Sequence, residues 1–229
     1  MFFVIKPDIL IKSKRKSISL MVNHKGEFVV HAPKQMKLND IFSFIEEKQD
    51  WVIEKLKKAQ NTLTINKQLL SYEQMLFLGK LYDVVQVDGI KECMLENNYF
   101  CIPNKVSKEK YKDKIKQFLM DMAEEVVLDR LDYFAELMDL DFKSVKIVSS
   151  ITKWGSCDQS FNLSFNYKLI MLPPIIVDYI IIHELAHILE FNHSSAFWEI
   201  VASIMPTYKK QRQTLKESGF LLNLFQKGK

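Results

Sequence analysis

Polar and apolar residues alternate at the start of the run Ser17-Ile18-Ser19-Leu20-Met21-Val22, break at His24-Lys25-Gly26-Glu27, and resume as Phe28-Val29-Val30. A period of two on either side of a turn signal predicts a hairpin. The period then changes. Ile41, Phe44, Ile45, Val52 and Leu56 recur at helical spacing behind Asn39, a good capping residue, so a helix is predicted from about Asn39 to Gln60. Phe77 to Val87 reads as a strand with Gly79-Lys80 early in it, and Asn97-Asn98 as a turn before a strand Tyr99-Phe100-Cys101-Ile102. Pro103-Asn104 punctuates the chain, and Ser107 stands at the head of a long helix ending near Met138. Short strands are expected at Val145 to Val148 and Phe161 to Leu169, either side of a loop containing Gly155. Pro173-Pro174 opens another helix, Ser194 or Ser195 caps the next, Pro206 stops it, and a last helix carries Lys209 to Ser218.

This order predicts an α+β protein. A β-rich N-terminal part with one long helix, 1–105, would pack on a mostly helical catalytic part, 106–229. At 229 residues, 48% apolar and 26% charged, the chain can build a core without staples. Cys93, Cys101 and Cys157 are odd in number, widely spread and without a CxxC pair, which excludes a disulfide framework and favours the reducing cytoplasm. The apolar start Met1 to Ile5 meets Lys6, Pro7 and Asp8 too early for a signal peptide. The apolar stretch Leu169 to Leu189 is broken by Pro173, Pro174, Asp178 and a His-Glu pair, so no membrane span is expected. The net charge of +4 is mild but uneven. Lys12, Lys14, Arg15 and Lys16 cluster early, and Lys209, Lys210, Arg212, Lys216, Lys227 and Lys229 late. Such clusters are solvated faces or nucleic-acid contacts. The pattern sets no oligomeric state.

Three of the five histidines fall in one window: His183-Glu184-Leu185-Ala186-His187, then His193. Four residues apart on a helix, His183 and His187 stack on one face and can reach one ion, with Zn²⁺ the usual occupant. Glu184 points about 100° around the helix from His183, where it can act on a metal-bound water without filling a coordination position. His193 would supply a third nitrogen, leaving one tetrahedral position open as in catalytic zinc sites. The His187-to-His193 interval equals that of the metzincin pattern, but Glu190 stands where metzincins place Gly. Glu199 is the alternative third ligand, and Cys157 a further candidate for a silencing fourth.

Beyond this window, Lys153-Trp154-Gly155-Ser156-Cys157, the strand with Asn166 and Leu169, and His193-Ser194-Ser195-Ala196-Phe197-Trp198 resemble the YgjP-like metallopeptidase family, itself similar to the SprT-like and WLM zinc proteases. The front resembles it too, through His31-Ala32-Pro33, a helix containing Trp51, and Phe77-Leu78-Gly79-Lys80-Leu81-Tyr82. The resemblance implies a zincin-like core with His183, His187 and His193 on zinc and Glu184 as base. The loop Trp154 to Cys157 is expected at the cleft rim, with Trp154, Ser156 and Asn166 meeting substrate, or else simply packing. The strand Asn162 to Lys168 is either an edge for an extended peptide or an ordinary inner strand. Tyr179, one turn before His183, is expected to pack. The reading is a cytoplasmic zinc hydrolase acting on a peptide or protein. Its rivals are hydrolysis of a nucleotide phosphoanhydride, for which no Gly-rich phosphate loop is present, and a nucleic-acid-associated module with structural zinc, for which Glu184 has no use.

Overall fold

The computed structural model of the chain describes residues 5–23 and 25–225. The turn residue His24, the first four residues of the apolar start and the basic Lys227 and Lys229 lie outside the described residues. The chain divides into two compact units, Met1–Lys67 and Gln68–Lys229.

In the first unit the expected hairpin forms from β2 (Ser19–Val22) and β3 (Phe28–Pro33), with Val22 opposite Phe28. A strand not anticipated, β1 (Ile9–Ser13), pairs parallel to the other edge of β3. Its residues are mostly exposed, so no burial pattern marks it in the sequence. Phe28, Val30 and Ala32 share one face of β3 and pack with Ile41, Ile45 and Val52. Those last three come from two helices, α1 (Leu38–Glu47) and α2 (Gln49–Leu70), not one. Lys48 leaves the helical region at φ −104°, ψ 16°, and Lys37 rather than Asn39 precedes the first turn.

The second unit opens with a four-stranded mixed sheet of order β4-β5-β7-β6, formed by β4 (Gln74–Phe77), β5 (Lys80–Val87), β6 (Met94–Glu96) and β7 (Tyr99–Pro103). The predicted single strand Phe77 to Val87 is therefore a hairpin. Leu78 and Gly79 make its two-residue turn, both at positive φ, 46° and 78°. The turn's backbone N–H groups donate to the carbonyls of Ile170 and Met171, at 2.7 and 3.1 Å, and a Cβ on Gly79 would meet Pro173 at 2.9 Å. That contact fixes the approach to the central helix.

A long helix, α3 (Tyr111–Met138), buries Ile115, Leu119, Ala123, Val127 and Leu131 at four-residue spacing. It packs against α4 (Pro174–Leu189) and the 3-10 turn Tyr167–Met171. Arg130 on α3 grips Asp178 on α4 with two parallel bonds, at 2.7 and 3.0 Å. Apolar side chains surround most of α4: Ile176, Val177, Ile180, Ile181, Ile182, Leu185 and Ala186 are buried. Burying each large one contributes about 1.5–3 kcal/mol, so the core sets the helix's rotation and hence the direction of its few polar groups. The third sheet has order β8-β10-β9, from β8 (Ser144–Val148), β9 (Gly155–Cys157) and β10 (Asn162–Asn166). β9 was not anticipated, and β10 ends earlier than predicted, at Asn166. Helices α5 (Ser195–Ile204) and α6 (Tyr208–Glu217) complete the unit. The fold is α+β: six helices and three small mixed sheets among the described residues. Among those residues no helix is long and apolar enough to cross a membrane.

Candidate metal centre

His183 and His187 project from successive turns of α4. The helix ends as Glu190 turns to extended backbone at φ −145°, ψ 109°. Any residue adopts that conformation, so the reversal does not need the glycine of the metzincin pattern. The Glu190 carbonyl accepts from His187 Nδ1 at 3.1 Å, which frees His187 Nε2 as a lone-pair donor. The chain then folds back. Asn192 N–H donates to the Glu190 carboxylate, Ser194 N–H to the Asn192 carbonyl, and the Ser194 hydroxyl accepts from Phe197 N–H to start α5.

This reversal brings His193 Nε2 to 3.0 Å from His183 Nε2, and the donor atoms of His183, His187 and His193 lie within 4.8 Å of one another. Beneath them sits Phe197, fully buried, its ring centre 4.9, 4.6 and 4.7 Å from those of the three imidazoles. Trp198 stacks on His193 at 5.5 Å. Burial and the neighbouring imidazoles push the His183 pKa down to about 3, and burial lowers that of His193. Both rings are therefore neutral at physiological pH and able to act as metal ligands.

Do these residues fit an ion? Tetrahedral zinc–nitrogen bonds of about 2.0–2.1 Å set donor atoms about 3.3 Å apart. The cluster brackets that spacing, between the 3.0 Å that separates His183 Nε2 from His193 Nε2 and its 4.8 Å limit. His183 Nδ1 is also buried without a hydrogen-bond partner, which leaves the ring held by packing and whatever its Nε2 meets. The donor set fits a divalent metal of the zinc type. Neither Glu199 nor Cys157 belongs to the cluster. Glu199 is exposed, and the Cys157 thiol, pushed up to about 11 by burial together with the charges of Glu184 and Asp158, donates to the Asp158 carbonyl at 3.5 Å.

Glu184 is buried at the cluster's side and its carboxyl is raised to about 8, chiefly by burial. The Lys153 charge and a hydrogen bond donated by Cys157 N–H oppose that rise. Both opposing groups come from the strand and loop around β9. A Cβ on Gly155 would stand 2.7 Å from Glu184 Cγ and Oε1, so only glycine leaves the carboxylate its place. Lys153, Trp154, Gly155, Tyr179, His183 and Glu184 line a cavity of about 200 Å³. Tyr179 is 3% exposed with its ring 5.9 Å from that of His183.

The other expected contacts separate. Trp154 lines the cavity, and Ser156 sits half-buried on β9. Asn166 is 1% exposed, and its amide donates to the carbonyls of Ser150 and Lys153 at 2.8 and 3.0 Å while its oxygen accepts from Lys168 N–H. It shapes the loop that carries Lys153 and Trp154. β10 is an inner strand, paired to β8 on one side and β9 on the other, and has no free edge for a peptide. The structural roles of Phe197 and Gly155 were not assigned from sequence. Their one signal was adjacency, since both lie within stretches carrying the family resemblance.

No curated protein matches this chain. A solved structure, the metallopeptidase zymogen abylysin of Pyrococcus abyssi, aligns with 39% of this chain and 90% of its own, at 23% identity and a TM-score of 0.37. A YgjP-like metallopeptidase domain is matched over residues 16–218. That span takes in both units and every residue of the histidine cluster, and by it this chain belongs to the YgjP-like metallopeptidase family.

Proposed function

We propose that this protein is a zinc-dependent peptidase in which His183, His187 and His193 hold the ion and Glu184 is the general base. The observation that carries the reading is the convergence of three imidazoles beside a buried carboxylate. When bound, zinc supplies a Lewis acid for the peptide carbonyl and acidifies a water molecule. Glu184 takes the proton of the attacking water at its carboxylate and passes it to the leaving amine nitrogen. Its burial raises its proton affinity toward neutrality, where both transfers are easy. Gly155 leaves room for that carboxylate, and Cys157 N–H orients it.

Trp154 and Ser156 would meet the substrate. β9 sits at the end of its sheet, paired only to β10 among the described residues. Its outer edge, and not β10, can pair with an extended peptide laid past Glu184. The three cysteines are free, which suits the reducing cytoplasm.

The test is Glu184→Gln. The variant should keep its zinc, measured by metal analysis of purified protein, while peptide turnover falls by about 10²–10⁴-fold. A peptide library and a set of nucleoside triphosphates should be screened together. Hydrolysis of triphosphates with no cleavage of any peptide would overturn the reading.

A further inference from the structure

Next to the histidine cluster the surface is strongly basic. Lys209, Arg212 and Lys216 stand at i, i+3 and i+7 on α6 and line an open groove of about 570 Å³. Trp154 and Leu215 belong both to this groove and to the cavity holding His183 and Glu184, so the two spaces adjoin. Lys153 on the cavity wall adds a further cation.

No carboxylate lines the groove, and among the described residues no ion pair holds Lys209, Arg212 or Lys216. Arg212 is instead oriented by an aromatic ring. Its guanidinium lies 4.6 Å from the Trp198 ring centre, and Trp198 stacks on Tyr208 at 5.2 Å. A guanidinium fixed by stacking retains N–H donors at its edge, and those match a carboxylate in bidentate fashion.

We infer that the Lys209–Arg212–Lys216 face is a substrate subsite that seats a peptide carboxylate, an acidic side chain or the free C-terminus, while the adjoining bond lies at the histidine cluster. This rests on the peptidase reading. A merely solvated basic face would lack two features found here: a ring that orients the central cation, and a groove that shares the walls Trp154 and Leu215 with the cavity holding His183 and Glu184.

The test measures binding apart from turnover. Zinc-loaded Glu184→Gln protein is titrated by fluorescence anisotropy with three labelled peptides: acidic and amidated, neutral with a free C-terminus, and neutral and amidated. One of the first two should bind about tenfold more tightly than the third, and which one identifies the source of the carboxylate. Adding Arg212→Gln and Lys216→Gln should shrink that difference to about twofold or less, and Lys209→Gln with Lys216→Gln, which leaves the stacked Arg212 in place, should shrink it in part. Equal affinity for all three peptides overturns the subsite, as does a preference that survives both variants. So does tight binding of a nucleoside triphosphate with no preference among the peptides. Cleavage by the wild-type protein without regard to acidic side chains or to a free C-terminus would remove the subsite and leave the peptidase reading standing. Cleavage of no peptide would remove the peptidase reading, and the binding comparison would still decide whether carboxylates are recognised.

Discussion

Gly155 of β9 lies directly against Glu184 of α4, so close that a single methyl group between them would stand 2.7 Å from the carboxylate oxygen. The strand and the helix are thereby spaced for a bare backbone. Glu184 is buried and has little freedom to retreat. Gly155→Ala should therefore displace the carboxylate, leaving zinc content near stoichiometric while peptide turnover falls about 100-fold, the cost of a shift of roughly 1 Å at a reacting group. Metal analysis beside steady-state kinetics separates the two effects. Full activity in the alanine variant would show that the carboxylate's position is not critical.

Phe197 supports all three imidazoles from below. Phe197→Ala should cost about 3–5 kcal/mol of stability through the cavity it leaves. Phe197→Leu should recover most of that loss yet still weaken zinc, because the rings lose the flat surface that aligns them. Urea unfolding and competitive zinc titration check the two halves of this expectation.

His193 is exposed and reached by a short reversal, whereas His183 and His187 are fixed by a buried helix. Chelation should lower the thermal midpoint of the wild-type protein, and added zinc should restore it. His193→Ala should fold with a midpoint close to that of the chelated wild type, and zinc should raise it far less. An equal response to zinc in variant and wild type would remove His193 from the ligand set.

Lys168 is 2% exposed and donates to the Leu222 carbonyl at 2.6 Å. Burial, with the charges of Lys116 and Lys112, lowers its pKa from the ordinary 10.5 to about 8. Below about pH 8 both folded and unfolded chains carry this proton, and the folded state bears the cost of a buried charge. Between about 8 and 10.5 the unfolded chain binds more protons, so this group makes stability rise with pH and level off above that range. Lys168→Met should lose that rise. Urea midpoints at pH 7.5 and pH 10 for both proteins measure it, after the common trend of other groups is subtracted.

Much of the second unit was legible because its signals are local. The spacing of His183 and His187, the Pro173-Pro174 entry and the Ser194 cap each act within one turn of chain. What escaped depends on pairing across distance. β1 and β9 are short strands that owe their existence to β3 and β10, and their own residues show no burial rhythm. The bonds of Asn166 are hidden for a related reason: its amide partners are carbonyls of the preceding loop, brought to it by the return of the chain. Gly79 was placed inside a strand when its positive φ makes it a turn, a distinction that rests on what Leu78 does beside it.

The reversal after α4 has a consequence for how such proteins are recognised. With Glu190 extended, the third histidine is delivered through ordinary backbone and a few polar contacts. A search template that insists on glycine there would pass over this chain, and the same goes for any relative that bends by the same route. In this chain the histidine spacing is kept although the glycine is not, so distance along the chain is the safer guide to its centre.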